Sequence, residues 1–182
     1  MTRWNSLNSR HRGDDTEELI NQANEQYEKS NLALIKKMPV PIKVIEIDKK
    51  IITKAFFEEK SIVDYMGLCQ GYPVAFDAKE TNNKSLPLKN IHSHQIDFMN
   101  KFKIQGGFSF LIINFKFYKE LYLLPIEILL KIYRDSLDGG RKSIPYKEMN
   151  KRYEIKYNKN GYINYLSALN NYIVDREKGI LI

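Results

Sequence analysis

The stretch SIVDYMGLCQGYPVAFDAKET, residues 61–81, decides how this chain is read. Ser61–Leu68 and Tyr72–Glu80 are rich in strand-forming residues, and Gln70-Gly71 between them supplies a turn with a permissive glycine. A two-residue turn at that point makes a hairpin in which Cys69 faces Tyr72, and the position numbers of facing residues sum to 141. Asp64 and Asp77 obey the same sum, which sets two carboxylates across from one another. Period-two alternation puts Asp77 and Lys79 on one face and Val63, Tyr65, Val74, Phe76 and Ala78 on the other, as core. Like charges directly opposite are destabilising, and a divalent cation between them is one remedy. A solvated outer face, where acids and a lysine only keep the sheet soluble, is the other reading.

Outside the hairpin, 182 residues suit one domain with a real core. Hydrophobic residues make up 43% and charged residues 28%, an ordinary globular composition. A net charge of +7 with a pI near 9.3 favours a polyanionic partner, nucleic acid or an anionic membrane surface. No apolar run approaches the ~20 residues of a membrane span. The opening MTRWNSLNSRHRG lacks the apolar core of a secretory signal. The single cysteine, Cys69, has no partner for an internal disulfide, which fits a reducing cytoplasm. There is no Walker-type loop, no GxGxxG and no Cys/His cluster for zinc.

Residues 1–13 read as a flexible basic arm and 14–182 as one domain. Asp14 to about Lys29 has a helical stripe of Ile20, Ala23, Asn24 and Tyr27, with Asp14 as N-cap and Glu17 as its capping-box partner. Leu32–Ile35 is a short strand candidate, and Met38-Pro39-Val40-Pro41 an extended connection. Ile42–Phe57 alternates loosely. Asn82–Asn90 reads as a polar loop and Ile91–Gln105 as a helix, on which His92 and His94 point in different directions. Gly106-Gly107 ends it. Phe108–Phe117 is a nearly continuous apolar run, a central strand, and Glu120–Leu124 is a second strand. Pro125 opens a helix to about Ser136. Ser143 reads as an N-cap with Pro145 in the first turn, so Arg141 and Lys142 flank a helix N-terminus suited to anions. A last helix covers about Ile163–Tyr172, packed on the body or on a second subunit.

Asp64 followed by Asp77-Ala78-Lys79 is similar to the Asp…(Asp/Glu)-x-Lys signature of restriction-endonuclease-like nucleases. VDYMGLCQGYPVAFDAKET, IHSHQIDFM, the glycine pair before FSFLIINF, and GGRKSIP together resemble the RecU family of Holliday-junction resolvases, as do TEELINQANEQY and ALIKKMPVPI. The likeness runs over roughly residues 10 to 150 in one order. It implies an α/β fold, a restriction-endonuclease-like mixed β-sheet flanked by helices, with a short protruding stalk at about 42–60. It also implies a homodimer that resolves four-way junction DNA by paired symmetric nicks in recombination and repair. Recombinase or branch-migration proteins would be partners.

The resemblance implies Asp64, Asp77, Lys79 and Glu17 as catalytic residues, with Gln95 in support. Asp64 and Asp77, as hard oxygen ligands, suit Mg²⁺ or Mn²⁺. Lys37, Arg141 and Lys142 are the implied DNA contacts. Three positions depart from the family pattern: the approach to the first helix is Gly13-Asp14-Asp15 rather than Gly-Lys-rich, Glu58 stands where an arginine is usual, and Asp77 replaces a more common glutamate. The rival readings are a branched-DNA-binding protein that no longer cuts, a nuclease for flaps or plain duplex, and a basic peripheral membrane protein.

Overall fold

The computed structural model describes residues 14–57 and 62–181. In chain order the first elements are α1 (Asp14–Lys29), β1 (Ala33–Lys37), β2 (Ile42–Asp48), β3 (Ile51–Phe57), β4 (Tyr65–Cys69), β5 (Tyr72–Thr81) and β6 (Ser85–Pro87). Then come α2 (Ser93–Ile104), β7 (Phe108–Phe115), β8 (Glu120–Pro125), α3 (Ile126–Leu137), β9 (Ser143–Pro145), β10 (Glu154–Ile155) and α4 (Tyr165–Glu177). Six strands form one sheet in the order β1-β4-β5-β7-β8-β10. Only β5 and β7 pair in parallel; the other four pairings are antiparallel. The mixed α/β architecture read from the sequence is therefore the one observed.

Every residue of β7 is buried, as expected of a central strand covered on both faces. One layer joins Ile20, Ala23 and Tyr27 of α1 and Tyr165, Leu169 and Tyr172 of α4 to Tyr65, Phe76 and Phe110 of the sheet. Tyr65, Phe76 and Phe110 stack ring on ring across three strands, at centroid separations of 4.9 and 4.8 Å. The α4 helix thus packs on the body. The other layer joins Ile96 and Met99 of α2 and Ile126 and Leu129 of α3 to Ala75, Leu111 and Ile113.

The hairpin has the expected register, from Tyr65 opposite Phe76 to Cys69 opposite Tyr72. Gln70 and Gly71 both have positive φ, +49° and +91°, as a tight two-residue hairpin turn requires. Its first strand is shorter than read. It starts at Tyr65, because the Asp64 carbonyl accepts from the Met38 N–H at 2.8 Å instead of pairing within the hairpin. Val63 is accordingly buried in the α2–α3 layer, not beside Tyr65.

Three other expectations need correction. Ser143–Pro145 is a strand paired with Ser85–Pro87, not the start of a helix, because Ile144 and Leu86 face each other and are both buried. Arg141 and Lys142 therefore do not flank a helix N-terminus. The segment 82–90 is not merely a polar loop, since Leu86 and Leu88 anchor it in the core. His92 precedes α2 as its N-cap, so its ring stacks on that of His94, with centroids 5.3 Å apart. The strands β2 and β3 form a separate two-stranded ribbon, turned at Lys49-Lys50, whose described side chains are all exposed. The basic arm 1–13, Glu58 and the cap assigned to the Asp14 side chain lie outside the described residues. Among the described residues no helix is long and apolar enough to cross a membrane.

Candidate active site

The site forms where β4 begins and β5 approaches its C-terminal end. Pairing of β4 with β5 stops at Tyr65, and the Asp64 carboxylate takes over by accepting the Ala78 N–H at 3.0 Å. Asp64 is thus fixed by the backbone of the residue that follows Asp77. The pleat sends Asp77 and Lys79 to the face covered by α2, whereas Ala78 and Glu80 turn toward α1.

Asp77 is fully buried. This excludes the reading of its face as a solvated one. Its Oδ1 accepts from Gln95 Nε2 at 2.7 Å, and its Oδ2 is in contact with the Lys79 ammonium. Oδ2 is buried and has no donor other than that ammonium. Burial pushes the Asp77 carboxyl up to about 7; Lys79 opposes the rise and Asp64 adds to it. Gln95 is itself buried and doubly engaged. Its Oε1 accepts from the His92 N–H at 3.3 Å in a capping box, which fixes α2 and aims the amide at Asp77.

Glu17 approaches from α1. Its carboxylate is held by Lys37 of β1 at 2.5 Å, and Tyr65 donates to Asn21 one turn further along the helix at 2.9 Å. Lys37 is thus an ion-pair partner of Glu17. Arg141 lies elsewhere, paired with Glu148 at 2.5 Å, and Lys142 is exposed beside it. The structure therefore brings Asp64, Asp77, Lys79 and Gln95 together, with Glu17 and Lys37 on the neighbouring helix and strand, and leaves Arg141 and Lys142 apart.

A further group was not singled out from the sequence. Glu80 accepts from Thr16 at 2.8 Å and pairs with Lys116 at 2.9 Å, and Lys116 also reaches Asp15 at 3.2 Å. Asn114 donates to Thr16 at 3.0 Å. This network ties α1 to the ends of β5 and β7 and so fixes Glu17 relative to Asp77. Its signal in the sequence was the alternation itself, which puts Glu80 opposite Lys79 and toward the helix.

Among the described residues no cluster of three or more His, Cys, Asp or Glu side chains is arranged to hold a metal ion. Two carboxylates are nonetheless what a Mg²⁺-like cation takes from protein when water and phosphate oxygens complete its shell. The buried Oδ2 of Asp77, whose one partner is the cationic Lys79, lies beside Asp64 and fits such an ion.

Known proteins resemble the chain over most of its length. The family model for Recombination protein U matches residues 11–171. A Holliday junction resolvase RecU of Oenococcus oeni is 42% identical over 147 residues, covering 78% of this chain and 75% of that protein. The one from Latilactobacillus sakei is 38% identical over 176 residues, covering 93% and 84%. The solved Holliday junction resolvase Hjc of Archaeoglobus fulgidus matches at 9% identity with a TM-score of 0.39, over 62% of this chain and 74% of that one, a likeness too loose to bear on the fold. A hairpin that joins Asp64 to Asp77-Ala78-Lys79, in a chain matched by the family model from residue 11 to 171, makes this protein a member of the RecU family.

Proposed function

We propose that this protein is an endodeoxyribonuclease that resolves Holliday junctions by paired symmetric nicks, in homologous recombination and repair. The observation that carries the reading is the buried Asp77, flanked by Lys79 and Asp64 at the mouth of a mixed sheet. Membership of the RecU family supports it.

Hydrolysis joins a water oxygen to phosphorus and breaks the P–O3′ bond, leaving a 5′ phosphate and a 3′ hydroxyl. Asp64 and Asp77 would hold the divalent cation, Mg²⁺ or Mn²⁺, and when bound it supplies Lewis acidity toward water and a phosphoryl oxygen. Lys79 sits where it can orient the attacking water or offset charge growing on the phosphate. Gln95 keeps Asp77 in one orientation. Glu17 adds a carboxylate at the same mouth and is released for that role when phosphate draws Lys37 away. A four-way junction has two-fold symmetry, so two matched nicks call for a homodimer with one site per subunit. A cytoplasmic location, where the DNA is, fits the lone reduced Cys69.

The test is nicking of a mobile four-way junction with Mg²⁺ or Mn²⁺, beside a flap and a linear duplex, for wild type and Asp77→Asn. Paired nicks in the junction alone, lost in the variant while binding survives, are the expected result. Equal cutting of all three substrates would refute a resolvase, and junction binding without cutting under either metal would leave a DNA-binding protein.

A further inference from the structure

A groove of about 320 Å³ runs beside the β6–β9 ribbon, lined by Lys84, Ser85, Tyr118, Arg141, Ser143 and Lys147. Its charge is almost entirely of one sign. The rim acid Glu148 is taken by Arg141, and neither Lys84 nor Lys147 has an ion-pair partner among the described residues. Three ammoniums at or beside the hydrolytic mouth, by contrast, are already paired: Lys79 with Asp77, Lys37 with Glu17, Lys116 with Glu80.

The groove is also built rather than incidental. Tyr118 stacks face to face on Tyr146 at 3.6 Å, and Phe117, which is 60% exposed, stands edge-on to Tyr118. The Lys84 ammonium lies 5.5 Å above the Phe117 ring, which holds it at the groove lip. The ribbon beneath is anchored through Leu86 and Ile144 in the layer under α2, the face toward which Asp77 points. Lys84 lies three residues past the end of β5 at Thr81, and the Tyr146 N–H donates to its carbonyl at 3.0 Å. From Asp77 to the end of β5 is ~13 Å at ~3.3 Å per residue, the rise of about four base pairs.

Resting on the reading of the protein as a DNA nuclease, we infer that this groove seats the phosphodiester backbone of the arm leading away from the nick. Lys84 and Lys147, which have no ion-pair partner among the described residues, would be the phosphate contacts, with Arg141 held beside them by Glu148. Serine hydroxyls at 85 and 143 add neutral donors for the same oxygens. Contacts to phosphate fix position along the arm and carry no base sequence.

The experiment measures the salt dependence of four-way-junction affinity in the full-length protein with Ca²⁺ in place of Mg²⁺. It compares wild type, Lys84→Gln/Lys147→Gln, and the equal-charge control Lys101→Gln/Lys131→Gln on α2 and α3. Loss of two phosphate contacts lowers the slope of log K against log salt by about 1.8, at ~0.9 per phosphate. The control leaves the slope at its wild-type value, and Lys84→Arg/Lys147→Arg retains it. Equal slopes for the groove variant and the control, with wild type binding normally, would overturn the groove and leave the nuclease reading intact. A wild type with no junction affinity would overturn both.

Discussion

Gln95 is where the fold and the chemistry meet, and its replacement can be worked through. The Gln95 amide donates to a buried carboxylate at 2.7 Å, a charge-assisted bond worth ~1.5–3 kcal/mol. Its carbonyl accepts from His92 and closes the α2 capping box, ~1 kcal/mol more. Gln95→Leu, close in volume, should therefore destabilise the metal-free protein by about 3 kcal/mol in urea unfolding at pH 8. In an Asp77→Asn background the bond to a charge is gone, and the same change should cost about 1–2 kcal/mol less. Gln95→Glu separates the two roles. It keeps an acceptor for His92 but sets a carboxylate against Asp77, so it should be weak at pH 8 and recover at pH 5, where a shared proton restores a donor. A coupling between positions 95 and 77 below ~0.5 kcal/mol, the limit of simple additivity, would refute the argument that Gln95 acts through Asp77.

Other perturbations follow from the same geometry. A carboxyl whose folded pKa is raised to about 7 is disfavoured when ionised, so wild-type stability without metal should fall as pH rises from about 4 to about 7, and Asp77→Asn should remove that fall in urea midpoints. Mg²⁺ at about ten times its Kd should stabilise the wild type at pH 8 by ~1.4 kcal/mol, seen as a raised thermal midpoint, and leave Asp77→Asn unmoved. Gly67→Ala should destabilise by ~3 kcal/mol in chemical denaturation, since its Cβ would lie 2.0 Å from the Leu34 carbonyl oxygen and must push β1 from β4. Glu120, lowered from 4.5 to about 2 by Lys151 and then Tyr122, contributes stability above its unfolded pKa that is lost as pH falls through about 2. Because the pair is partly exposed, acid titration of Glu120→Gln should show a loss of only ~1 kcal/mol of that dependence.

The parts of the fold legible in the sequence were those with a strong local pattern. The turn at Gln70-Gly71 fixed the hairpin register, the apolar run fixed β7 at the centre, and the stripe of Ile20, Ala23, Asn24 and Tyr27 fixed α1, all four of which are buried. What failed was set by distant pairing. Ser143-Ile144-Pro145 has the local look of a capped helix start, but two proline-ended tripeptides 58 residues apart instead find each other through Leu86 and Ile144. The burial of Asp77 was equally hidden. Alternation gave its face, but only α2, docked through Ile96 and Met99, makes that face an interior one. His92 and Gln95 did carry a readable signal, the three-residue spacing of a capping box, which ties Gln95 to the helix start and so to Asp77.

The charge of the chain takes on a different meaning once its pairs are known. A net +7 suggests cations spread for DNA, yet those nearest the site are bound to acids of the same fold. This also gives a role to one departure from the family pattern. Asp15, part of the acidic approach to α1, pairs with Lys116, which in turn holds Glu80 and, through Thr16, the start of the helix that carries Glu17. In water such exposed pairs contribute little to stability. Their effect is on position: acids and lysines hold one another at the mouth until a phosphate competes for the cations. Under the proposed function binding and activation would be one event, because a phosphate that took Lys37 from Glu17 would free a carboxylate at the mouth. Affinity must consequently come from elsewhere on the surface, where cations stand without acid partners.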